Sequence, residues 1–169
     1  MGMTPDAFFE AFVQDNYFDY VENPGSVRRA FNAAVSASHL ADHYFEYYKK
    51  KDPERLKDFS SLGKFVEFLC TRTDGAFRDV RSIANAYKHL YTNVDPQKSV
   101  HSTVESTGAV VRLSFEYDYP DLDEIEEDYE ASEQASMVVY RRKDGQRLVF
   151  LPALERVHSF WSEFLYVRP

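Results

Sequence analysis

Apolar residues recur at three- and four-residue spacing through most of the first 95 positions, and that period dictates packed helices. The clearest case follows Asp74-Gly75, where Ala76, Phe77, Val80, Ile83, Ala84, Tyr87, Leu90 and Tyr91 trace one buried face to about Asn93. Thr4-Pro5 reads as a helix start, a hydroxyl cap before a residue whose φ suits the first turn. Phe8, Phe9, Phe12 and Val13 follow it on one side. Asn23-Pro24-Gly25-Ser26 ends that helix and caps the next, which places Val27, Ala30, Phe31, Ala34, Ala41, Phe45 and Tyr48 inward. Asp52-Pro53 begins a further helical stretch, broken near Ser60-Ser61, with Leu62, Phe65, Val66 and Leu69 inside. Helices of this length with short connections favour an antiparallel bundle.

After Asp95-Pro96 the period changes. Ala109 to Tyr117 is rich in Val, Phe and Tyr and reads as a strand, with a weaker candidate from Val100 to Glu105. Met137–Arg142 and Arg147–Phe150 flank Lys143-Asp144-Gly145-Gln146, a hairpin signal because Asp and Gly tolerate positive φ. A last helix runs from about Pro152 to Tyr166, with Leu154, Val157, Trp161, Phe164 and Leu165 inward. The expected fold is therefore α+β and mainly α: an antiparallel bundle of four to five helices, with a small antiparallel β-meander inserted before the C-terminal helix. A length of 169 residues suits one domain. It divides into a bundle (1–95), a meander (96–150) and a closing helix (151–169).

The charge is concentrated. The net charge is -8, yet residues 118–134 hold nine acidic side chains and no Lys or Arg. The remainder is close to neutral, with 19 acidic against 20 basic residues. Such a balance argues against a broad nucleic-acid or anionic-membrane surface, since phosphate contacts need cations. It leaves room for a local RNA site at a small basic spot. The acidic connection reads as a solvated loop or as a docking strip for a basic protein partner, through Glu124, Glu126, Glu127 and Asp128.

Cys70 is the only cysteine, so no internal disulfide forms, and its place in Phe68-Leu69-Cys70 reads as a small buried hydrophobe. The opening Met1-Gly2-Met3-Thr4-Pro5-Asp6 has no basic and apolar run of a secretory signal, and no stretch approaches a membrane span. A soluble, cytoplasmic chain is expected. Tyr44, Phe45, Tyr47 and Tyr48 lie all round one helix, so a homodimer through aromatic faces is the alternative to a thick aromatic core.

Two polar helix faces could carry chemistry. The helix after Asp74 groups Arg78, Arg81, Asn85 and His89 opposite its apolar stripe, with Lys88 beside them. The long helix groups Arg28, Asn32, His39, His43 and Glu46. If both are ordinary solvated faces, they do nothing. If they meet, three chemistries fit. Arg78 or Arg81 could stabilise a pentacoordinate phosphate while a histidine moves protons, giving RNA cleavage. His39 and His43, spaced i, i+4, could bind a metal, with Asp42, Glu46 or His89 completing the set. Alternatively, the cleft binds without catalysis, with Asn32, Glu46 and Lys88 as contacts. No sequence motif calls for an organic cofactor.

The stretch from Arg78 to His89 (Arg78-Asp79-Val80-Arg81-Ser82-Ile83-Ala84-Asn85-Ala86-Tyr87-Lys88-His89) resembles the polar helix of HEPN-like helical bundles. Many of those domains are metal-independent RNases of toxins and defence systems, using an Arg, a polar residue and, four to six positions on, a His. Arg78-Asp79 matches the opening; Asn85 stands where the histidine would fall, and His89 lies one step beyond the longest gap from Arg81. The resemblance implies a helical bundle. With that histidine absent, it implies an interaction or regulatory protein, as inactive members of such families serve. The alternative it implies is an RNase using Arg78, Arg81, Asn85 and His89.

Overall fold

The structure, a computed structural model, describes residues 2–89, 104, 110–113, 136–140 and 147–166. The described part is mainly helical. Helix α1 covers 5–22, α2 Val27–Lys51, α3 Leu62–Arg72, α4 Ala76–His89 and α5 Phe150–Tyr166, with a 3-10 turn at Pro53–Leu56. No helix among the described residues is long and apolar enough to cross a membrane.

The helix starts follow from side-chain caps that satisfy the free N–H groups of a first turn. Thr4 Oγ1 accepts from the Ala7 N–H at 3.2 Å, and Pro5 occupies the first helical position. Ser26 Oγ accepts from Arg29 N–H and Ser61 Oγ from Lys64 N–H, both at 3.3 Å. The stretch from Asp52 to Ser61 is thus a tight turn and a new cap rather than the start of α3. Between α3 and α4, Asp74 and Gly75 both take positive φ, 49° and 86°. The Gly75 N–H then reaches back to the Cys70 carbonyl at 2.7 Å, closing α3.

Helix α1 contains a π-helical stretch, Phe9–Gln14, in its middle. This widened turn explains why Phe9 and Val13 are buried while Phe12, expected inward, is 44% exposed. The Asn16 amide donates to the Phe12 carbonyl at 2.7 Å within it.

The core is aromatic. Phe65 meets Tyr44, Phe45, Phe59, Phe68, Trp161 and Phe164, with ring centroids 5.0–6.3 Å apart. Helix α2 sits at the centre, in contact with α1, α3, α4 and α5. Being enclosed, it buries Tyr44, Phe45 and Tyr48 within the chain, so these rings are spent on the core rather than on a dimer face; Tyr47 is half-buried. Helix α4 buries Asp79, Ser82 and Ala86 besides its apolar stripe. Tyr87, expected inward, is 55% exposed with one face stacked on Phe31 at 4.8 Å.

Three short strands, β1 (Val110–Leu113), β2 (Ser136–Tyr140) and β3 (Arg147–Val149), pair antiparallel in chain order. The backbone turns helical at Phe150, two residues before Pro152, which sits comfortably in a first turn. The acidic stretch 118–134, Leu90, Tyr91, the Asp95-Pro96 break and the Asp144-Gly145 turn lie outside the described residues.

Candidate functional site

Helices α2 and α4 pack closely, and their contact is pinned by Arg81. Its guanidinium donates to both Asp42 carboxylate oxygens, at 3.0 and 3.4 Å. The same group reaches the Ser38 hydroxyl and carbonyl at 3.3 and 3.4 Å. A fork-shaped donor meeting a carboxylate in this way fixes orientation as well as charge. The two polar faces therefore meet, at one point.

Around that point the surface divides. One cavity of about 250 Å³ between α2 and α4 is lined by Ser38, His39, Asp42, Arg81, Asn85 and Lys88, among others. A neighbouring cavity of about 450 Å³ shares His39 and Tyr87 and adds Phe8, Phe12, Asn16 and Asn32. A third, about 520 Å³, lies between α3 and α4 and is lined by Leu62, Gly63, Val66, Glu67, Cys70, Arg78, Arg81 and Asn85. Arg81 and Asn85 form the ridge shared by the first and the third.

The residues singled out in the sequence fall on different sides of this ridge. His39, Asn85 and Lys88 join Arg81 on the α2 side, whereas Arg78 faces the α3 side with Arg81 and Asn85. Arg78 and His39 thus line no common cavity among these. Asn32 is exposed and lines the aromatic cavity. Glu46 is exposed and pairs with Lys49 at 3.9 Å. The backbone of His89 ends α4, while its side chain, and all of Glu124, Glu126, Glu127 and Asp128, lie outside the described residues.

His43 is not among the residues lining the two cavities that His39 lines. Its Nε2 donates to the Met3 carbonyl at 2.9 Å, and its ring stacks on Phe8 at 4.8 Å. That bond occupies Nε2 and leaves Nδ1 as the ring nitrogen free to accept. Among the described residues, no three His, Cys, Asp or Glu side chains gather as a metal site.

Cys70 is buried, and burial pushes its thiol above the usual range while the nearby Arg78 pulls the other way. It behaves as a buried thiol rather than a thiolate nucleophile.

Thr73 escaped the sequence reading. It is fully buried, donates to the Leu69 carbonyl at 2.8 Å and accepts from the Phe77 N–H at 3.0 Å, joining the end of α3 to the start of α4. A Thr three residues before a helical apolar run was the available signal. His158 was also missed: it stacks on Tyr17 at 4.1 Å, and burial lowers its pKa below the ordinary value.

No family model, curated protein or solved structure matches the chain.

Proposed function

We propose that this chain is a HEPN-like interaction or regulatory protein that takes its partner through the acidic strip rather than performing catalysis. The observation that carries this reading is the state of Arg81. Its charge is compensated by Asp42 and its donors are directed to Asp42 and Ser38. Stabilising a pentacoordinate phosphate needs an uncompensated cation aimed at the developing charge. An arginine held in this way supports scaffolding rather than phosphoryl chemistry. The pairing of the three strands in chain order supports reading 96–150 as a small β-meander that carries the acidic connection.

The partner in this reading is a protein with a basic surface, taken by the acidic strip. In a pull-down from host lysate, the chain retains such a partner. Replacing Glu124, Glu126 and Glu127 by Gln and Asp128 by Asn releases it; an unchanged set of retained proteins counts against the reading.

The ribonuclease reading has one observation in its favour, that His39, Arg81, Asn85 and Lys88 line a common cavity. It predicts metal-independent cutting of single-stranded RNA that His39→Ala abolishes.

A further inference from the structure

The cavity between α3 and α4 is the largest of the three described above, and its two walls differ in kind. Helix α3 offers Leu62, Val66 and Cys70, spaced so that they share one face, with Gly63 beside them adding no side chain. The opposite wall is α4, which brings Arg78 into the same space. A volume of about 520 Å³ falls within the range of cavities that hold small organic ligands.

The charges here are unevenly compensated. Glu67, on the rim, is paired with Lys64 at 2.8 Å, and Arg81 with Asp42 at 3.0 Å. Arg78 is exposed and has no ion pair among the described residues. The cavity is therefore an apolar trough with the Arg78 guanidinium at its edge, hydrogen-bonded to the Cys70 thiol but without an ion pair among the described residues. A guanidinium presents parallel N–H donors that suit a carboxylate, while the opposite wall favours hydrocarbon.

We propose that this cavity binds a small amphipathic carboxylate, its head on Arg78 and its apolar tail along Leu62 and Val66. The inference uses the α3 side of the ridge and does not depend on the acidic strip or on the α2 side.

Gly63 supplies a test that leaves the core intact. A Cβ built there meets nothing nearer than the Ser61 hydroxyl at 3.6 Å, so a longer side chain enters open space. Gly63 is the second residue of α3, at ordinary contact distance from Ser61, so Gly63→Met fills the trough with little change in stability. The experiment is calorimetric titration of the full chain with decanoate, with acetate and decylamine as controls.

Decanoate should bind saturably at one site, while acetate, lacking the tail, and decylamine, carrying the wrong charge, should not. Arg78→Gln should weaken decanoate by about tenfold, the size of one lost charged contact. Gly63→Met should abolish binding with little change in melting temperature. The proposal is overturned if decanoate fails to saturate, if decylamine binds equally well, or if Gly63→Met binds decanoate like the original chain.

Discussion

At the scale of single residues, charge and burial decide. The Arg81–Asp42 pair is partly shielded, its side chains 24% and 39% exposed, and forks onto Ser38 as well. Pairs of that kind exceed the near-zero worth of most surface ion pairs. Asp42→Ala should therefore cost roughly 1–2 kcal/mol, because it leaves a half-buried guanidinium short of partners. A urea melt checks this, and a loss indistinguishable from zero would mean that solvent satisfies Arg81 equally well. His158 makes a second prediction. Burial against Phe9 and Tyr17 lowers its pKa, so the unfolded chain takes up the proton first as pH falls. The folded state is unpenalised above the ordinary value near 6.5 and loses stability as pH drops below it, until the folded-state pKa is reached. Melting temperatures compared between about pH 7.5 and 5.5 should fall more steeply for the original chain than for His158→Phe. Equal slopes would remove His158 from the account.

At the scale of elements, the joint between α3 and α4 sets the angle of the helix that carries the candidate site. Thr73 serves both helices with one hydroxyl, so Thr73→Val, nearly the same shape, should cost about 1–3 kcal/mol through a buried N–H left without its acceptor. Gly75, at φ 86°, should resist Ala by about 1 kcal/mol. Paired denaturant melts check both. The same joint shows what a sequence reveals. Apolar period and hydroxyl caps made α1 to α5 legible, since each depends on neighbours within a few residues. The outward turn of Phe12 was not legible, because a π-helical stretch shifts the face without changing the spacing of the letters. Tyr87 misled for a related reason. Its letter fits the stripe, yet α4 meets its neighbours there through Ala86 and Ser82, leaving the larger ring to lie over Phe31. The candidate residues were legible as a list. Their division across a ridge was not, because it depends on where α2 and α3 lie against α4.

At the scale of the whole molecule, one aromatic core holds the five helices and so holds the ridge. Phe65 is fully buried at its centre, touching rings from α2, α3 and α5. Phe65→Ala should cost about 3–5 kcal/mol and loosen both sides of α4 together. The chain's net charge of -8 resides in a single segment, so the body that presents α4 is nearly neutral and accommodates local cations such as Arg78 and Lys88. The central claim is that the chain holds a partner and does not cut RNA, Arg81 being already spent on Asp42 and Ser38 and Arg78 lining a different cavity from His39. The direct measurement is a gel assay of end-labelled single-stranded RNA incubated with the purified chain in excess chelator, alongside the Arg78→Ala and Arg81→Ala variants. RNA should stay intact in every lane; RNA cut by the original chain and spared by Arg78→Ala or Arg81→Ala would contradict the claim.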